Sequence, residues 1–135
     1  MQNLETTKKS PYKYNLLTQE IMNYLQIAQH GVMTSVSNGG TTMTTKGVEV
    51  TSGCAVGGLL EFKFKAGAPI QEIADAVKSI SGNGDCNAVG FWLNDGTLYV
   101  DAVQIIEDEV EAVELGRARD EIAIFNIGTM TEITL

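Results

Sequence analysis

The spacing of apolar side chains changes period several times along this chain, and each change marks an element. Leu17, Ile21, Leu25 and Ala28 recur at helical spacing, with Tyr14 and Tyr24 near the edges of the stripe. They predict an N-terminal amphipathic helix that Gly31 stops, leaving His30 at its C-terminus, where a cation is favoured. Residues 1–10 read as a mobile tail. Residues 32–58 are rich in Thr, Ser and Gly and poor in bulky side chains. Asn38-Gly39 is a hairpin signal, so this stretch reads either as a β-ribbon through 32–37 and 41–45 or as a flexible arm. Val48-Glu49-Val50-Thr51 alternates as a strand does.

From residue 59 the pattern is easier to read. Leu60, Phe62 and Phe64 alternate with Glu61, Lys63 and Lys65, the signature of a strand with one buried face. Pro69 then opens a helix whose apolar stripe is Ile70, Ile73, Ala74, Val77 and Ile80, and Gly82 closes it. Two apolar runs, 88–93 and 97–106, flank Asn94-Asp95-Gly96. Asp-Gly supplies the positive φ angles of a tight hairpin. With those two residues as the loop, Leu93 faces Leu98, Trp92 faces Tyr99 and Phe91 faces Val100. A second helix follows, with acids in its first turn, Arg117 and Arg119 in its last, and a stripe assembled from Val110, Ala112, Val113, Leu115, Gly116 and Ala118. Residues 122–127 form a final apolar strand.

The order β-α-β-β-α-β predicts an α+β fold of ferredoxin-like type, a four-stranded antiparallel sheet with two helices on one face. The N-terminal helix and the Thr/Gly-rich arm or β-ribbon are additions to it. On this reading residues 1–58 carry tail, helix and arm, residues 59–135 form the α+β core, and the whole is one compact domain. Phe62, Phe64, Phe91, Leu93, Leu98 and Val100 lie under the helices. Trp92, Tyr99, Val103 and Ile105, with Glu61, Lys63 and Lys65, take the other face. That face is too apolar to stay bare, and the N-terminal helix, the arm or a second subunit are its possible covers.

Composition changes this picture in one respect. The 135 residues hold 9 Lys plus Arg against 17 Asp plus Glu, a net charge of -8. Lys8, Lys9 and Lys13 against Glu5 make the first 13 residues +2, which leaves -10 on the remainder. Coating of duplex nucleic acid is disfavoured, because such binding comes mainly from neutralised phosphates. The acid is concentrated: residues 101–121 hold eight carboxylates against two arginines. Glu107, Asp108, Glu109, Glu111 and Glu114 spread around a helix and read as a solvated face. No stretch is long and apolar enough for a membrane span, and the first 13 residues do not read as an export signal. With Cys54 and Cys86 read as free thiols, a cytoplasmic protein is expected.

Catalytic chemistry has little to draw on. His30 is the single histidine, the cysteines have no partner at metal-binding spacing, and the clusters around Gly53, Gly57-Gly58 and Gly82-Asn83-Gly84 match no phosphate loop. The reading is therefore of a non-enzymatic protein with no cofactor, no metal and no catalytic residue. It self-associates, or binds a host protein, through an interaction face of Lys63, Lys65, Trp92, Tyr99, Val103 and Ile105. An acidic decoy of a DNA-binding protein is one alternative. A weak single-strand binder that stacks bases on Trp92 and Tyr99 beside Lys63 and Lys65 is another.

The run Gly90-Phe91-Trp92-Leu93-Asn94-Asp95-Gly96-Thr97-Leu98-Tyr99-Val100-Asp101, with Glu111-Ala112-Val113-Glu114-Leu115-Gly116 and Ile122-Ala123-Ile124-Phe125, resembles the C-terminal part of small uncharacterised proteins encoded by tailed bacteriophages. The resemblance covers roughly the last third of the chain. It implies a phage or prophage source and expression in the host cytoplasm, and it brings no activity, cofactor or catalytic residue.

Overall fold

The structure is a computed structural model that describes residues 12–135, with side chains described from Tyr24 onward. The tail at 1–10 and the side chains of Tyr14, Leu17 and Ile21 fall outside the described residues. Among those described, three helices and seven antiparallel strands alternate: α1 (Tyr12–Asn38), β1 (Gly40–Thr44), β2 (Cys54–Val56), β3 (Glu61–Lys65), α2 (Ile70–Ser81), β4 (Ala88–Asn94), β5 (Thr97–Ile106), α3 (Glu109–Ala118), β6 (Ala123–Asn126) and β7 (Thr131–Thr134). The protein is thus α+β, with a sheet of seven strands where the pattern predicts four. No described helix is long and apolar enough to cross a membrane.

The strands run in the order β1-β4-β5-β2-β6-β7, and β3 also pairs with β5. The ten-residue β5 is the spine. One of its edges is filled twice, by β3 along 97–101 and by β2 along 104–106. Gly57-Gly58 interrupts that edge between the two short strands. The strand expected at 122–127, β6, therefore joins the sheet beside β2, and a further strand, β7, pairs with β6.

The hairpin obeys its turn chemistry. Asp95 and Gly96 take φ of 51° and 80°, and Leu93, Trp92 and Phe91 pair with Leu98, Tyr99 and Val100 as the spacing predicts. Helix α2 follows Pro69, whose φ of -57° suits the first step into a helix, and ends at Gly82. It buries Ile73, Ala74, Ala76, Val77 and Ile80. Each of the three larger side chains stabilises by roughly 1.5–3 kcal/mol before entropy is subtracted.

Helix α1 departs from expectation at Gly31. The residue does not end the helix; it lies against the Phe91 ring, so closely that a Cβ there would overlap it. The missing side chain brings helix to sheet, and the helix runs on to Asn38. His30 is consequently inside the helix and exposed, 3.8 Å from Glu49. Asn38-Gly39 is a helix ending and not a hairpin: Gly39 takes φ of 94° and donates its N–H to the Ser35 carbonyl at 2.9 Å. Of the ribbon expected at 32–37 and 41–45, only the second arm is a strand. Residues 48–51 make one isolated bridge, Glu49 with Met43, and Val50 N–H bonds to the Thr42 carbonyl along the outer edge of β1.

Helices α1 and α2 share one core with the sheet, centred on Ile27, Ala28, Val77, Ile80, Phe91 and Val100. Phe62, Phe64 and Leu93 pack against it half-buried, and Leu98 is buried within it. Leu60, expected with them, is exposed. The N-terminal helix therefore joins the helical face and does not cover the opposite one. A smaller core lies under α3: Cys54, Val56, Ala112 and Ile124, with Ile106, Val113, Leu115, Ile133 and Leu135 around them. Ile106 shares the parity of Leu98, Val100 and Ala102, which keeps α3 on the same side of the sheet. Gly116 is there for contact, since a Cβ would fall 2.7 Å from Leu135 and 2.8 Å from Ile124. Val110 and Ala118 face solvent, so the α3 stripe is narrower than expected.

Candidate functional site: the open sheet face

Cross-strand register arranges the face that the described helices leave uncovered in rows. The first row runs Gly40, Trp92, Tyr99, Lys63 across β1, β4, β5 and β3. Trp92 is 53% exposed, and its ring stacks on Tyr99 with centroids 5.2 Å apart and planes inclined by 29°. Lys63 Nζ stands 5.7 Å from the Tyr99 centroid on the other side. Aromatic pairs of this kind contribute about 0.5–1.5 kcal/mol beyond the area they bury, and an exposed cation over a ring about 0.5–1 kcal/mol. Lys65 lies beside this row, paired with Thr97 and exposed.

The second row is Thr42, Gly90, Asp101, Glu61. Its chemistry differs sharply from the first. The Asp101 carboxyl leans over Gly90, where a Cβ would lie 2.8 Å from Oδ1. Its other oxygen points toward Gly57, 3.6 Å from the Cβ position there. Glu121, in the turn between α3 and β6, brings its two carboxylate oxygens to 3.1 Å from the Cβ positions of Gly57 and Gly58. Three glycines thus make room for two carboxyl groups, and Glu61 pairs in register with the first of them. Burial, followed by the charges of Glu61 and Glu121, pushes Asp101 up from 3.8 to about 7.

The turn that carries Glu121 is held from below. Arg119 donates from Nη1 to the Gly57 carbonyl at 3.1 Å and from Nη2 to Gln104 Oε1 at 2.7 Å, joining α3 to the break between β2 and β3. Asp120 takes φ of 58°, and Glu121 N–H bonds back to the Gly116 carbonyl at 2.9 Å. The chain reverses there and β6 begins two residues later.

Beyond the carboxyls the face becomes apolar. Ala88 pairs with Val103, and both are buried; Ile105, Ala55 and Phe125 form a further row that Glu132 of β7 ends. Of the six residues expected on the interaction face, the structure brings Trp92, Tyr99 and Lys63 into contact distance, with Lys65 alongside. Val103 is only 5% exposed and offers little surface, and Ile105 stands half-buried three rows from the aromatic pair. Asp101, Glu121, Gly90 and Phe125 belong to the same face and were not among the expected six. Comparison with protein-family models, curated proteins and solved structures yields no match. The arrangement of side chains on this face therefore carries the functional argument by itself.

Elsewhere the candidate chemistry resolves into structural roles. Cys54 is buried, and burial, then Glu109 and Glu107, raise its thiol above the usual range. Cys86 is half-buried, its thiol is raised mainly by burial, and its Sγ donates to the Ala88 carbonyl at 3.1 Å. Neither is poised as a thiolate near neutrality. Asp108 caps α3 by accepting from Val110 N–H at 2.9 Å, and Glu109 accepts from Asn126 Nδ2 at 3.1 Å. Glu107, Glu111 and Glu114 are exposed. Among the described residues, no three His, Cys, Asp or Glu side chains converge to hold a metal ion.

Proposed function

We propose that this chain is a non-enzymatic interaction protein whose open sheet face binds a second copy of itself. The observation that carries the reading is the half-exposed Trp92, stacked on Tyr99, at one end of a face whose charges are segregated. Lys63 and Lys65 flank the aromatic row, while Glu61, Asp101 and Glu121 occupy the middle. A two-fold interface repeats each contact by symmetry, so a surface with adjoining basic and acidic zones can be complementary to itself. Laying one copy over another in that way sets the lysines of each against the carboxylates of its partner, and desolvates Trp92 and Phe125. Trp92 and Phe125 lie on either side of the carboxyl row, and aromatic side chains are enriched at protein interfaces.

The strand order supports a matching reading of the scaffold. The run β4-β5-β2/β3-β6, with α2 and α3 on one face, is the order of a ferredoxin-like chain whose first strand is broken at Gly57-Gly58. In this reading β1 and β7 widen that core at its two sides. A phage origin rests on the C-terminal sequence pattern alone.

Sedimentation velocity of the full chain and of a Trp92→Ala, Tyr99→Ala variant tests the proposal. A dimer for the parent and a folded monomer for the variant are expected; a monomeric parent at concentrations well above about 0.1 mM, the weak end of specific association, overturns it.

The aromatic row also favours a second reading, base stacking by single-stranded nucleic acid, since Trp92 is half exposed and Lys63 stands near Tyr99. It ranks behind because the neighbouring row is made of carboxyl groups, which repel phosphates. Absence of Trp92 fluorescence quenching by oligonucleotides at low salt excludes it.

A further inference from the structure

We propose that the carboxyl cluster over Gly90 and Gly57 is a proton-operated control on the open face: copies associate while the cluster holds a proton and separate when it gives that proton up. This inference rests on the self-association reading and adds its regulation. The geometry is specific. Asp101 lies over one glycine and reaches toward another that Glu121 also overhangs, and Glu61 stands in register beside it. Three carboxyls in one patch cannot all ionise without mutual repulsion, and the most enclosed of them holds its proton longest.

The neighbours of Asp101 decide the sign. From β3 come Glu61 and, one row on, Lys63; from the turn before β6 comes Glu121; from the loop after α2 comes the Cys86 thiol. Along β5 itself the next residue on this face is Tyr99, while β1 and β4 contribute the uncharged Thr42 and Gly90. Arg119 lies against Gly58, with its guanidinium engaged by Gly57 and Gln104. With Asp101 protonated, the carboxylates of this patch are Glu61 and Glu121, which Lys63 and Lys65 of a second copy can face, and Arg119 is drawn to the helix side by Gln104. With Asp101 ionised a third carboxylate joins them, and a closed interface would have to desolvate it. Burial, Glu61 and Glu121 place the Asp101 transition at about 7, inside the range a cell or a compartment can cross.

The experiment is sedimentation equilibrium of the full chain at pH 6 and pH 8, beside Asp101→Asn and Glu121→Gln. The protonated fraction of a group titrating near 7 falls about tenfold across that interval, so Kd should weaken about 100-fold if both copies bring the proton. Asp101→Asn should associate equally at both pH values. Glu121→Gln, which removes one repelling charge and keeps the carboxyl under test, should move the transition to lower pH. Association that is unchanged between pH 6 and 8 overturns the control and leaves self-association standing; a monomer at both overturns the two together. Parallel shifts of the parent and Asp101→Asn also overturn it, because another group is then titrating.

Discussion

Gly90 and Asp101 face each other across the β4–β5 hairpin, and the space a side chain would take on the first is filled by the carboxyl of the second, 2.8 Å from the absent Cβ. A proton-holding acid therefore sits next to the Trp92–Tyr99 stack, in the middle of the face the helices leave free. Stability should register it. The folded chain keeps a proton on Asp101 up to about 7, whereas the unfolded chain releases it near the ordinary value of 3.8. Between those values the folded state binds the extra proton, so stability falls as pH rises through the window and levels off above it. Asp101→Asn removes that dependence and should be the more stable protein at pH 8, by on the order of 2 kcal/mol after allowance for solvent screening. Urea unfolding at pH 5 and pH 8 measures it; parallel pH profiles for parent and variant would contradict it.

Gly31 makes a second, independent prediction. Alanine is the better helix former by about 1 kcal/mol, yet its Cβ would overlap the Phe91 ring. Overpacking of this kind costs typically about 1–3 kcal/mol. Gly31→Ala should lower Tm by several degrees, and adding Phe91→Leu should recover part of the loss. A Gly31→Ala protein as stable as its parent would place the contact elsewhere.

Arg119 should hold the break in the β5 edge together. Its two hydrogen bonds reach Gly57 and Gln104 from one planar group. Arg119→Ala leaves those acceptors to water or to nothing, at a cost of about 1–3 kcal/mol, and Arg119→Lys should recover little of it because an ammonium cannot match the fork. Amide exchange in β2 and β6 should quicken in both variants. Exchange that quickens only at the chain end would argue against this role.

How much of this was legible beforehand follows the range of each interaction. The hairpin could be read down to its pairs because Asp95-Gly96 fixes the turn and the turn fixes the register. That register also places Gly90 opposite Asp101, so the sequence carries a signal for the carboxyl site, although Asp101 stands in the same acidic stretch as the solvated carboxylates of α3. Gly31 carries no local sign of its role, because its reason lies sixty residues away, in Phe91. The same holds for the arm: Thr41 to Thr44 became a strand only because β4 offered it an edge, and the helix absorbed 32–38 because packing on the sheet outweighed the β preference of Val and Thr. The place of β6 beside β2 was beyond local pattern altogether, since nothing in Cys54-Ala55-Val56 announces that it will continue the edge that Glu61–Lys65 begins.

The aromatic row should be separable from the fold. Trp92 is half exposed and Tyr99 partly so, and neither belongs to the core beneath the helices. Replacing both with alanine should cost about 1–2 kcal/mol, the stacking plus the area lost, and leave far-ultraviolet circular dichroism unchanged. A variant that fails to fold would show that the row is structural.

The central claim is that two copies meet through this face with the basic zone of each on the acidic zone of the other. Complementary charge variants test it most directly. Lys63→Glu, Lys65→Glu makes the face acidic throughout, and Glu61→Lys, Glu121→Lys makes it predominantly basic. By sedimentation at pH 6 and low salt, each variant alone should be monomeric and an equimolar mixture should form a dimer that dissociates as salt is raised. Dimers of either variant alone, or a mixture that stays monomeric while the parent dimerises, would contradict the account.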